Sequence, residues 1–211
     1  MLKVLVASSK GGAGKSTIAT NLAANFAVDG KNTVLVDADR QGSSLHWSER
    51  RSVHPNAVLG VPGLRRDWAR HVPDDAQRVV IDTAAGISAG EVGEWLEFAD
   101  VLIVPVLPSA IDLEATMPFL EDVAQLPRVK KGKVAVGLVA NRLKPWTNAS
   151  QLAVEEMQSL PFPLVAQLRD TQGYVLANAL GKSIFDYHSE TVRSHQEDWT
   201  RLLRWLKKQG S

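Results

Sequence analysis

The stretch Ser8-Ser9-Lys10-Gly11-Gly12-Ala13-Gly14-Lys15-Ser16-Thr17 follows directly on the apolar run Leu2-Lys3-Val4-Leu5-Val6-Ala7. A glycine-rich turn between a buried strand and a helix leaves few folds open, because loop N–H groups and a helix N-terminus must converge on one anion. The pattern G-x-x-x-x-G-K-[ST] wraps backbone N–H groups around a nucleotide's phosphates, sets a lysine on the outer phosphates and offers a hydroxyl to Mg²⁺. Gly14, Lys15 and Ser16 complete that pattern. Its first glycine is Ser9 here, and Lys10 adds a second cation for which the ordinary loop has no use.

Short apolar runs recur along the rest of the chain at Val34-Leu35-Val36, Val79-Val80-Ile81, Val101-Leu102-Ile103-Val104, 134–140 and 164–168. Runs of this length without polar alternation suit parallel strands covered on both faces. Helices are expected at 15–28, 43–51, 64–71, 91–98, 113–126, 149–159 and 191–208. The stretch 53–63 reads as a loop around a short strand at 57–59. The βαβα order predicts an α/β fold, a doubly wound and mostly parallel sheet with helices on both faces and ligands at the strands' C-terminal ends. One P-loop domain over 1–211 is expected.

The hydrophobic share of 45% and charged share of 22% are ordinary for a folded chain. A formal charge of +1 names no partner through bulk electrostatics. The absence of cysteine excludes disulfides, thiolate zinc and cysteine-ligated iron–sulfur clusters. With no secretory leader and no run long enough to cross a bilayer, a cytoplasmic location is expected.

Two further apolar strands end in carboxylates, at Asp37-Ala38-Asp39 and at Ile81-Asp82. Mg²⁺ keeps several waters and needs few protein ligands, so an aspartate at a strand end suits it. Asp82 fits that role. Asp39, at the start of the next loop, is the candidate to orient an attacking water, while Asp37 either joins the site or caps the following helix. A late strand end, Val139-Ala140-Asn141-Arg142, stands where such sheets choose the base, and no N-K-x-D guanine motif occurs there.

The loop with Lys10, the segment Val36-Asp37-Ala38-Asp39-Arg40-Gln41-Gly42-Ser43-Ser44 and the strand Val79-Val80-Ile81-Asp82-Thr83 together resemble the ParA/MinD family of deviant Walker ATPases. The resemblance runs through most of the chain and is nearest the small, ParF-like ParA type, in which no helix-turn-helix precedes the loop. Leu168-Arg169-Asp170-Thr171-Gln172-Gly173-Tyr174 and Gly181-Lys182-Ser183-Ile184-Phe185 look like the family's closing motif. The resemblance implies a homodimer that sandwiches ATP, with Lys10 reaching the partner's phosphates as a stabiliser supplied in trans. It further implies Lys15 and Asp39 as catalytic partners, and phosphates cradled by Gly11, Gly12, Ala13, Gly14, Lys15, Ser16 and Thr17. Ser16, Asp39 and Asp82 would surround Mg²⁺, with Asn141 and Arg142 at adenine; an Asn that merely caps a loop is the alternative. The chain departs from the family's usual Asp-Pro-Gln-Gly with Asp39-Arg40-Gln41-Gly42, and from Asp-x-Pro-Pro with Asp82-Thr83-Ala84-Ala85.

For partners, the resemblance implies nonspecific DNA bound by the ATP dimer, hence nucleoid association, and a ParB-like or adaptor protein that stimulates hydrolysis. Candidate DNA contacts are Arg142, Lys144 beside Trp146, Lys182, Arg193, Arg201, Arg204, Lys207 and Lys208. The stripe Trp199, Leu202, Leu203 and Leu206 either packs the last helix on the body, as expected, or lies on a membrane as in MinD relatives. A metabolic ligase of the dethiobiotin synthetase type shares loop and fold, but no substrate constellation for it is visible. A bacterial tyrosine kinase would carry a C-terminal tyrosine cluster, and Tyr174 and Tyr187 do not form one.

Overall fold

The computed structural model describes residues 1–210. Its strands are β1 (Leu2–Val6), β2 (Thr33–Ala38), β3 (Leu59–Pro62), β4 (Arg78–Thr83), β5 (Val101–Val106), β6 (Ala135–Leu143) and β7 (Leu164–Arg169). They form one sheet in the order β3-β2-β4-β1-β5-β6-β7, with every neighbouring pair parallel. All residues of β2 and β5 are buried, which is why these strands read as unbroken apolar runs. The register sets Asp37 opposite Asp82 and Val6 opposite Asp82, so three central strands deliver their ends to one place.

Helices cover both faces. On one side α1 (Lys15–Val28), α2 (Ser43–Arg51), α7 (Gln172–Ala179) and α9 (Thr200–Gln209) bury Ile18, Leu22, Trp47, Tyr174, Leu202 and Leu206 against the strands. On the other, α3 (Ala89–Leu96), α4 (Ala110–Gln125) and α6 (Asn148–Met157) bury Leu96, Leu120 and Met157. A one-turn α5 (Pro127–Lys130) follows α4, and α8 (Glu190–Glu197) precedes α9. The doubly wound fold expected from the sequence is therefore present, and α1 and α2 have the expected bounds.

Three local expectations differ, and one helix appears where none was expected. Instead of a helix over 64–71 there is a single 3₁₀ turn, Trp68–His71. Leu64 stays 58% exposed, and Trp68 meets Trp95 at a tilt (centroids 5.5 Å apart) and Phe98 edge-on (5.2 Å), so the segment has one apolar anchor rather than a helical face to bury. The edge strand β3 lies at Leu59–Pro62 rather than 57–59, with its proline at the end, where a missing N–H is tolerated. Residues 172–179 form a helix despite Gly173, started by the Thr171 hydroxyl accepting from Gly173 N. The helix expected over 191–208 breaks into α8 and α9 at Asp198-Trp199. Arg169 at the end of β7 takes both Asp198 carboxylate oxygens at 2.7 Å, and Trp199 is fully buried, its indole N–H donating to the Tyr174 hydroxyl at 2.9 Å.

The same packing decides the fate of the last apolar stripe. Trp199, Leu202 and Leu206 are 0–1% exposed, and the tip of Trp205 packs over Gly137 of β6, while Arg201, Arg204, Lys207 and Lys208 face outward. The stripe is occupied by the body. Trp199→Ala is expected to cost about 3–5 kcal/mol, the range for truncating a large buried side chain. Urea denaturation checks it, and a change within experimental scatter would show that α9 contributes little to the fold.

Candidate nucleotide site

The loop after β1 reaches α1 through Gly12 and Gly14, both left-handed, with φ of 75° and 89°. Gly14 is required twice over, since a Cβ there would also collide with the side-chain amide of Asn141. Asn141 is buried and donates from Nδ2 to the Ala13 carbonyl at 2.8 Å, tying the end of β6 to the phosphate loop. The following residue, Arg142, is the one non-glycine with positive φ (55°) among the described residues, and it lies exposed where β6 loses register with β7. The left-handed turn separates the inward Asn141 from the outward Arg142.

Lys15, at the start of α1, is buried with its pKa lowered by desolvation, against the opposing pull of Asp82 and then Asp39. Those two charges therefore lie within reach of the ammonium. Asp82 is wholly buried, and both its carboxylate oxygens lack a hydrogen-bond partner. Desolvation pushes its pKa up to about 7; the hydroxyls of Ser16 and Ser44 pull the other way without completing a bond of ordinary geometry. Asp37 is pinned instead: its carboxylate accepts from Asp39 N at 2.9 Å and Leu45 N at 2.8 Å, so it folds the loop back and caps α2. Asp39 is half-buried, with one oxygen accepting from Gln41 N at 2.9 Å. The structure thus gathers Lys15, Ser16, Asp39 and Asp82 and gives Asp37 the capping role.

Lys10 goes elsewhere. Its ammonium crosses to the first turn of α4, bridging Asp112 at 2.9 Å and the Ile111 carbonyl at 3.3 Å. Asp112 also accepts from Ser109, and the Ser109 hydroxyl and then Lys10 hold its pKa below the usual carboxylate range.

Residues 4–184 match the family model described as the CobQ/CobB/MinD/ParA nucleotide binding domain. The chain belongs to this family. It is 32% identical over 189 residues to the Maintenance of carboxysome distribution protein A of Halothiobacillus neapolitanus, covering 85% of each chain. It is 26% identical over 242 residues to the septum site-determining protein MinD of Helicobacter pylori, covering 95% of this chain and 90% of that one. A putative plasmid partition protein from Borrelia burgdorferi bound to AMPPNP superposes with a TM-score of 0.73 at 15% identity, covering 96% of this chain and 98% of that one, a likeness of fold. This is a P-loop ATPase of the ParA/MinD family.

Family membership implies ATP and, typically, Mg²⁺ at this loop. A buried carboxylate with two unpartnered oxygens beside a serine hydroxyl is a hard-oxygen donor set of the kind Mg²⁺ takes. Among the described residues no group of three or more His, Cys, Asp or Glu could hold a metal ion. The sequence reading of this family site missed Ser44 and Asp112. Ser109-x-x-Asp112 is an N-cap pattern that would have placed the start of α4 and its carboxylate; nothing local marks Ser44.

The Asp82 carboxyl carries a pH signature. Its pKa is about 7 in the fold against 3.8 as a free group, so folding takes up a proton between those values. Its contribution to stability therefore falls as pH rises from about 4 to about 7 and is level above. The melting temperature of nucleotide-free protein should carry this slope, and Asp82→Asn should remove it. Parallel pH profiles for the two proteins would refute the assignment.

Proposed function

We propose that this chain is a small, ParF-like ParA-type positioning ATPase: ATP and Mg²⁺ close two copies face to face, the dimer holds DNA nonspecifically, and a ParB-like or adaptor protein on a cargo stimulates hydrolysis and release. The observation that carries the reading is the placement of Lys10. A loop needing only one lysine spends it in Lys15, which is buried among the carboxylates, whereas Lys10 leaves the loop for a partly exposed bridge on α4. Exposed ion pairs are held weakly, so the lysine is free to exchange Asp112 for a stronger anion such as a partner's phosphate.

Each group has a task in this cycle. In this reading the loop N–H groups and Lys15 hold the phosphates, and Asn141, whose amide is tied to the Ala13 carbonyl, takes the adenine. Bound Mg²⁺ would neutralise phosphate charge between Ser16 and the Asp82 side. Asp39 orients water, and Lys10 from the second copy offsets charge developing on the transferred phosphoryl group. In this reading turnover is slow until a partner completes the site.

The DNA reading draws on exposed Arg142 near the end of β6, Lys144 and Trp146 just after it, and the outward face of α9. Of the other sequence candidates, Lys182 lies over the Tyr187 ring at 5.2 Å. No helix among the described residues is long and apolar enough to cross a membrane. The relatives named for carboxysome distribution, plasmid partition and septum placement share the task of positioning, and we take a plasmid or chromosome as the cargo.

Lys10→Ala should keep ATP affinity within about threefold while losing ATP-dependent dimerisation and hydrolysis, read by nucleotide titration, light scattering and phosphate release. Full hydrolysis by that variant overturns the role of Lys10. Asp39→Ala should accumulate an ATP dimer on DNA whose binding weakens steeply with salt in co-sedimentation. Rapid nucleotide-dependent release, or pelleting with anionic vesicles instead of DNA, counts against the reading.

A further inference from the structure

The closing motif at 181–186 offers no group to the phosphate loop, yet a dense buried polar network of the molecule runs through it. Arg51, the last residue of α2, is fully buried. Its guanidinium grips Asp186 with two bonds, at 2.8 and 3.0 Å, and donates to the carbonyls of Asn56 at 2.8 Å and Gly181 at 3.3 Å. Asp186 also accepts from the backbone N–H and the hydroxyl of Ser183, at 2.7 and 2.8 Å. One turn earlier on α2, the buried Trp47 donates its indole N–H to the Lys182 carbonyl at 3.0 Å.

The other side of the same segment is fastened to α1. Asn21 accepts from Ile184 N at 3.1 Å and donates to the Thr17 carbonyl at 2.8 Å, within the first turns that follow Lys15 and Ser16. Gly181 is left-handed, with φ of +66°, and lies so close to α2 that a Cβ would overlap the backbone of Arg50 and Arg51. The segment is thus a strut between two helices. Both open at the nucleotide site: α1 begins with Lys15 and Ser16, and α2 follows the Asp39 loop and turns Ser44 toward Asp82.

A guanidinium taken fully out of water is an expensive way to fill a core, and apolar side chains of similar volume would do as well or better. Its planar fork, however, fixes direction as well as distance, which an apolar contact does not. We propose that Arg51, with Asp186 and Asn21, is a set of positioning residues that locks α2 to α1 and so holds Asp39 and Ser44 in register with Lys15, Ser16 and Asp82. The proposal rests on the reading of Asp39 as the residue that orients water.

Arg51→Lys keeps the charge and loses the fork. It should lower kcat about tenfold or more, as small misplacements of catalytic groups do, while KM for ATP stays within about twofold. Hydrogen exchange of nucleotide-free protein should show protection lost at 39–45 and retained in β5 and β6. Asn21→Ala, which loosens only the α1 end, should give the same pattern more weakly, and it carries the test if Arg51→Lys does not fold. Folded variants with unchanged kcat overturn the proposal, as does loosening spread through the sheet with kcat and KM falling out of range together. The exchange measurement needs no turnover. Full hydrolysis by Asp39→Ala would therefore remove the reading of Asp39 and leave the exchange result to judge the strut alone.

Discussion

A carboxyl group without a partner sits at the end of β4, and the site is arranged around it. Asp82 is covered by protein on every side, so its ionised form is disfavoured until a cation arrives. Lys15 is under the opposite strain, stripped of water and steadied by Asp82 and Asp39. A carboxyl without a donor and an ammonium without water are each costly to bury, a cost that a cation at Asp82 and an anion at Lys15 would offset. The all-parallel sheet makes this possible, since parallel register brings β1, β2 and β4 to the same edge with their ends aligned.

Around that centre the chain handles its other charges by sharing them out. Asp37 is consumed by backbone N–H groups and becomes part of the scaffold, which leaves Asp39 half-open and available. Lys10 rests on Asp112 at the surface, where solvent weakens the bridge, whereas Arg51 and Asp186 are paired in the interior, where breaking the pair leaves a charge stranded. The contrast divides movable from fixed parts. Lys10 is held by a single partly exposed bridge, and Arg51 by a buried two-bond fork.

Much of this was legible in the sequence. The phosphate loop, α1, α2 and the carboxylate strand ends follow from short-range patterns: a glycine turn, an apolar run, an acid after it. Where the reading went astray, the missing information lay far away in the chain. The helix expected over 191–208 breaks because Arg169 draws in Asp198, 29 residues on. The segment at 64–71 has helical composition but no surface to bury a face against. The bond from Asn141 to the Ala13 carbonyl, 128 residues away, is likewise invisible in the local sequence.

By itself, the sequence determined that a strand, a glycine loop and a helix would present Lys15 and Ser16 to an anion, because those preferences are written in the neighbouring residues Leu2 to Thr17. It also determined the doubly wound class, because the alternation of buried strand and amphipathic helix repeats locally. Only the tertiary structure decided which charges are satisfied and which are left waiting. Asp37 and Asp82 look alike in sequence, each an acid ending an apolar strand; one meets two backbone donors and the other meets none, and that difference depends on how β2, α2 and β4 pack together.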